Sequence, residues 1–294
     1  MKVVITGITG LIGSALAKRL SDAGHEVVGV SRRPGPNTIV WDLEARTIDT
    51  AALEGADAIV HLAGETISGR WTADKKRRIM DSRVVSTELL ASTIATLEHK
   101  PKVFVSGSAI GLYGHTGSDV VDETSPAGSG FLSEVTVAWE AAAAPIAAAG
   151  VRLVYPRTGI VLDPSGGALK PLLLATKMFV GGPLGDGKQM WAWITLHDEV
   201  EALVHLINSD LEGPVNLTAP NPVSQRVMAK QLAKILGRPS FMPAPKFAVT
   251  AVLGEMADAL IFTSADVRPT KLLGSGFGFA HSTIDEGLCA ALGR

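Results

Sequence analysis

Gly7, Gly10 and Gly13 recur at three-residue spacing between an apolar run, Lys2-Val3-Val4-Ile5-Thr6, and a helix-forming one that begins at Ser14. That setting, more than the triplet alone, carries chemistry. Gly7 can take the backbone angles of a tight turn, Gly10 lets main-chain N–H groups approach a diphosphate, and Gly13 lets a helix lie close against a sheet. The N–H groups of the helix start then face the anion. Thr6, Gly7, Gly10, Leu11, Ile12 and Gly13 are therefore candidate contacts of a dinucleotide. At the end of the next apolar run stand Ser31, Arg32 and Arg33. A site that prefers NAD usually places an acid there for the ribose 2′-hydroxyl, whereas arginine pairs with a 2′-phosphate. The cofactor expected is NADP(H), with two solvated surface arginines as the plain alternative.

A second group of chemically capable residues follows a later apolar run: Ser106-Gly107-Ser108, then Tyr113 and His115 on a glycine-rich stretch. Hydroxyl, phenol and imidazole can each polarise an oxygen or move a proton. Each is also an ordinary loop residue. Asp42 and Leu43 can border an adenine or form a turn, and Leu62-Ala63-Gly64 is small enough for backbone to touch a ribose.

These residues need elements to hold them, and the chain supplies strands alternating with helices. Strands are expected at 2–6, 26–30, 38–41, 56–62, 102–106 and 151–156, with helices over 72–98 and 131–149 and Pro145 kinking or dividing the latter. Strands this continuously apolar argue a parallel sheet covered on both faces, with ligands at the carboxyl ends of the strands. The fold class expected is α/β, a Rossmann doubly wound parallel sheet with a small, mostly helical C-terminal lobe. Residues 1–162 form the nucleotide-binding part, 163–190 an insertion toward the substrate, 191–218 a return to the sheet and 219–294 the substrate lobe. His197 and Asp198 are expected to cap the helix that follows them, and Thr283-x-x-Glu286 reads as a capping box. Arg268 and Lys271 can hold a substrate anion or form surface salt bridges.

The 294 residues are 46% hydrophobic, ample for a core, and the net charge of -2 with scattered basic residues does not suggest a nucleic-acid partner. No apolar run is long enough to span a membrane. A single cysteine, Cys289, rules out an intramolecular disulfide, and with no secretory pattern at the start the cytoplasm is expected. No metal site is assigned; the expected partner is a small-molecule substrate, and a homodimer is left open.

The combination of Thr6-Gly7-x-x-Gly10-x-x-Gly13, His61-Leu62-Ala63-Gly64, the serine-rich strand end with Tyr113-Gly114, and Trp193-Ile194-Thr195-Leu196-His197-Asp198 resembles the extended short-chain dehydrogenase/reductase superfamily. Gly69-Arg70-Trp71, Asp81-Ser82-Arg83, Trp139-Glu140, Pro156-Arg157-x-Gly159 and Arg268-Pro269-x-Lys271 are similar to an atypical branch called epimerase family proteins. The resemblance implies an NADP(H)-dependent oxidoreductase or epimerase acting on a polar, sugar-like carbonyl compound. It implies Ser108 as the serine at the reacting oxygen, and Pro156, Arg157 and Gly159 beside the nicotinamide. It also exposes a departure. The superfamily's tyrosine, followed four residues later by lysine, falls on Leu132 and Thr136, which cannot transfer a proton. Tyr113 and His115 are the substitutes considered, and Glu140 is expected to face outward from an alanine-rich helix. A cofactor-binding sensor or scaffold without turnover is the alternative.

Overall fold

The computed structural model describes residues 1–294. The strands of its main sheet are β1 (Lys2–Thr6), β2 (Glu26–Ser31), β3 (Thr38–Asp42), β4 (Thr47–Ile48), β5 (Ala58–His61), β6 (Val103–Ser106), β7 (Arg152–Thr158) and β8 (Gly213–Leu217), joined in the order β8-β7-β6-β5-β1-β2-β3-β4, with the short strand Ser108–Ala109 added on β7. All neighbours pair in parallel except β4 on β3. The order reverses on either side of β1, and a crevice opens there at the carboxyl ends.

The helices used below are α1 (Leu11–Asp22), α2 (Ala73–Thr96), α3 (Phe131–Ala148), α4 (Leu169–Lys177), α5 (Leu196–Asn208) and α6 (Gln225–Leu236). Successive residues of a strand point to opposite faces, so β1 serves two cores. Val3 and Ile5 join Leu16 and Leu20 of α1 and Leu203 and Leu206 of α5. Val4 joins Leu90 and Ile94 of α2 and Ile146 of α3 on the other face. A third cluster packs Trp191 and Trp193 with Leu169 and Leu173 of α4, Met228 and Leu232 of α6, and Ile284 and Leu288.

Register places the site. Thr6 pairs with His61, and His61 with Ser106, so the ends of β1, β5 and β6 finish side by side. Beyond them Ser108 pairs with Arg157 of β7.

Two expectations are corrected. Pro145 does not divide α3, which runs unbroken through it; the lost N–H bond is outweighed where Ala143 and Ile146 bury completely on the sheet. The cap of α5 is Thr195, whose hydroxyl accepts from the Asp198 N–H. The Asp198 carboxylate instead accepts the N–H groups of Ala280 and His281, tying the C-terminal segment to α5, while His197 is exposed.

Candidate active site

The glycine loop has no room for side chains. Gly7 adopts φ +69°, and a Cβ on it would stand 2.8 Å from the Leu62 carbonyl carbon. A Cβ on Gly13 would collide with the Gly7 carbonyl oxygen, the same oxygen that accepts the Gly10 N–H at 2.9 Å. Gly10 begins α1 with no side-chain cap, and the first turn holds no acid. The N–H groups of Leu11, Ile12 and Gly13 thus lack intrahelical partners and sit at the positive end of the helix. Such an uncapped helix start is suited to an anion.

The Thr6 side chain is engaged within the protein. Its hydroxyl donates to His61 Nδ1 at 2.6 Å and accepts the N–H groups of Leu62 and Ala63 at 3.1 Å each. His61 completes the chain by donating from Nε2 to Ser86 Oγ at 3.0 Å, and Ser86 donates to the Ser82 carbonyl. Burial, helped by the Arg83 charge, pushes the His61 pKa down to about 3, so the ring is neutral. Thr6 and His61 are therefore a clasp that sets the Leu62–Gly64 backbone beside the loop.

At the end of β2, Arg32 and Arg33 are exposed, and neither guanidinium has a protein partner. Ser31 Oγ accepts the Arg33 N–H at 3.3 Å, shaping the turn that carries them. Asp42 is a turn residue: Oδ1 accepts the N–H groups of Glu44 and Ala45, and Leu43 packs onto the core beneath it. The alternative weighed for Asp42 is the one the geometry favours.

The second half of the site is a buried polar chain of five residues, each on a different element. Ser108 Oγ donates to Glu140 Oε1 at 2.6 Å. Arg157 grips the same carboxylate with both edges of its fork, Nε to Oε1 at 2.9 Å and Nη2 to Oε2 at 3.0 Å. Arg157 Nη1 donates to the Tyr113 hydroxyl at 2.9 Å, which donates to Asn216 Oδ1 at 2.8 Å. Three expectations change here. Glu140 faces inward, because its partner Arg157 lies on the strand beneath the helix. Arg157 is committed to that ion pair, its side chain only 8% exposed, so it is not free to contact a nicotinamide. Tyr113 is 2% exposed with its hydroxyl fully engaged, and burial raises its pKa. It braces the network and does not reach the cleft.

The neighbours are equally settled. Pro156 is buried within β7, and Gly159 is required by close packing, since a Cβ would stand 2.8 Å from the Ala192 carbonyl oxygen. These positions support the site from behind. Gly107 lies under the indole of Trp139, and the Ser106 hydroxyl is buried without a partner. His115 accepts the Ser264 N–H and anchors its loop. Arg268 pairs with Asp266, and Lys271 donates to the Glu212 carbonyl. Leu132 and Thr136 stand where a tyrosine and lysine were sought, with the Thr136 hydroxyl bonded to the Leu132 carbonyl.

Glu140, Asn216 and Arg83 are the members that sequence reasoning did not place. A signal existed for the first, since Glu140 and Arg157 are opposite charges within one shared set of motifs. Together the parts are an uncapped helix start behind a tight glycine turn, a pair of free guanidinium groups and a serine backed by a carboxylate.

Comparison with known proteins bears on this arrangement. Residues 3–218 match the NAD dependent epimerase/dehydratase family, and residues 244–291 match a domain of unknown function, DUF1731. An epimerase family protein of Mycobacterium bovis is 39% identical over 296 residues, covering 99% of this chain and 98% of that protein. The crystal structure of human epimerase family protein SDR39U1 with NADPH superposes with a TM-score of 0.92 at 33% identity, covering 100% of both chains. A nucleoside-diphosphate sugar epimerase from Corynebacterium glutamicum gives a TM-score of 0.83 at 34% identity, covering 100% of this chain and 58% of that one.

Proposed function

The chain belongs to the NAD dependent epimerase/dehydratase family, and on that premise we propose that it is an NADP(H)-dependent oxidoreductase or epimerase-like enzyme acting on a polar carbinol or carbonyl substrate. The observation that carries this is the pair of exposed, unpartnered guanidinium groups of Arg32 and Arg33 at the end of β2, which suit a 2′-phosphate. The NADPH in the human relative supports the same choice.

Gly7, Gly10 and the N–H groups of Leu11, Ile12 and Gly13 hold the diphosphate, and the Leu62–Gly64 backbone borders a ribose. The nicotinamide, when bound, supplies hydride exchange. The protein's task is then the proton. Because Ser108 gives its hydrogen to Glu140, its lone pairs are free to accept from a substrate hydroxyl. A proton leaving that hydroxyl can pass to Ser108 Oγ as the serine proton passes to Glu140 Oε1. Arg157 and Tyr113 hold the carboxylate in line for this, so a route exists without the tyrosine and lysine.

The test is transfer of isotope from NADPH labelled at C4 to a panel of carbonyl compounds. The expected result is transfer by the wild type and loss of transfer in Ser108→Ala with NADPH affinity retained. Transfer undiminished in Ser108→Ala would remove the serine from the chemistry. Leu132 and Thr136 favour a second reading, a cofactor-binding sensor without turnover; tight NADPH binding with no transfer across the panel would select it.

A further inference from the structure

One cation at the ends of β5 and β6 takes no part in the scheme so far. Arg83, on α2, lays its guanidinium over the indole of Trp139, with Cζ 5.1 Å from the ring centroid. It also lies against Gly64, where an added Cβ would come within 3.1 Å of Cζ and 3.3 Å of both terminal nitrogens. Nη1 is anchored, donating to the carbonyl oxygens of Ile79 at 3.0 Å and Glu65 at 3.1 Å.

Those two bonds are the only ones Arg83 makes, so Nε and Nη2 have no acceptor in the protein. No carboxylate neutralises the group either: Glu65 is bound to Lys75 at 2.6 Å. Burial lowers the Arg83 pKa to about 10, with the Glu65 charge resisting, and the side chain remains a cation at neutral pH. On this partly exposed side chain those N–H groups are open to an acceptor from outside the protein. Nε–H and Nη2–H form the edge of a guanidinium that meets an oxyanion with two parallel bonds. A side chain at position 64 would press on the guanidinium carbon and its two terminal nitrogens, and glycine leaves them room.

Its location sets it apart from the groups that would meet the cofactor's phosphates. The diphosphate has the start of α1, and Arg32 and Arg33 stand at the end of β2. Arg83 lies between Gly64 and Trp139, and the Trp139 ring covers Gly107, the residue before Ser108, where a Cβ would come within 2.8 Å of it. We propose that Arg83 is the anion-binding residue of the substrate pocket and that the substrate carries a carboxylate. This rests on reading the Ser108 cleft as the substrate site.

The test titrates NADPH-loaded protein at fixed ionic strength with matched pairs that differ in one carboxylate: D-glucuronate against D-glucose, and L-lactate against 1,2-propanediol. In the wild type at least one acid binds about tenfold more tightly than its neutral partner, the scale of a charge-assisted pair. Arg83→Gln abolishes that preference while NADPH affinity and thermal midpoint hold, and Arg83→Lys, which keeps the charge but lacks the fork, retains only part of it. Preference persisting in Arg83→Gln, or absent from the wild type, overturns the proposal. So does a loss of NADPH affinity in Arg83→Gln, which would assign the cation to a cofactor phosphate. Should Arg83→Gln not fold, Arg83→Lys decides alone. Failure of the wild type to bind NADPH would instead overturn the reading of the cleft.

Discussion

Glu199→Gln should change how stability depends on pH, and by a calculable amount. Glu199 lies in the first turn of α5, fully buried, with Oε1 accepting from Thr158 Oγ1 at 2.7 Å and Oε2 without a partner. Burial, opposed only by the Thr158 hydrogen bond, pushes its pKa from 4.5 up to about 8. Across the intervening range the folded protein keeps a proton that the unfolded chain has released. The stabilisation is therefore complete below pH 4.5 and is lost as pH rises toward 8. At 1.36 kcal/mol per pH unit, the loss between roughly pH 5.5 and 7.5 is about 2–3 kcal/mol. Glutamine keeps the acceptor for Thr158, replaces an O–H by an NH2 and cannot ionise. Urea unfolding of both proteins over this range should show the variant gaining about 2–3 kcal/mol on the wild type, with near parity at the acid end. Parallel curves would refute the claim that Glu199 is a buried neutral acid.

Other perturbations probe the site itself. Gly13→Ala forces a methyl group into the Gly7 carbonyl oxygen, and should cost about 1–3 kcal/mol of stability together with dinucleotide binding; NADPH fluorescence unchanged from wild type would mean the loop does not hold the dinucleotide. Glu140→Met leaves Arg157 as an uncompensated buried charge and should destabilise by about 3–5 kcal/mol, with most of it recovered in Glu140→Met/Arg157→Met. Purely additive losses in denaturant titrations would show that the two side chains are not coupled.

The parts legible in the sequence were those whose causes are local. The β1, glycine loop and α1 unit is contiguous, and each strand of the sheet announces itself as an apolar run. The network around Ser108 was not, because its bonds join distant residues. Tyr113 looks like a loop residue beside glycines, and distant residues bury it: Ala192, Ala265 and Val267 pack with it while Arg157 and Asn216 bond its hydroxyl. Glu140 looks exposed because α3 is apolar nearly all round, so periodicity cannot say which side a single carboxylate faces; Arg157 on the strand beneath decides it. Asp42 and Arg268 bond to partners two or three residues away, short-range turn chemistry of the kind that competes with longer-range roles. Arg83 stood within a noticed motif, yet its stacking on Trp139 required the fold.

The central claim is a dinucleotide site that prefers the phosphorylated cofactor. It is tested most directly by calorimetric titration of NADP+, NADPH, NAD+ and NADH into the wild type and into Arg32→Ala/Arg33→Ala. The predicted result is tighter binding of NADP(H) than NAD(H) by the wild type, with the double variant losing about tenfold or more for NADP(H) while NAD(H) is nearly unchanged. Equal losses for both cofactors would contradict the role of the arginines, and no binding of any of the four would contradict the site.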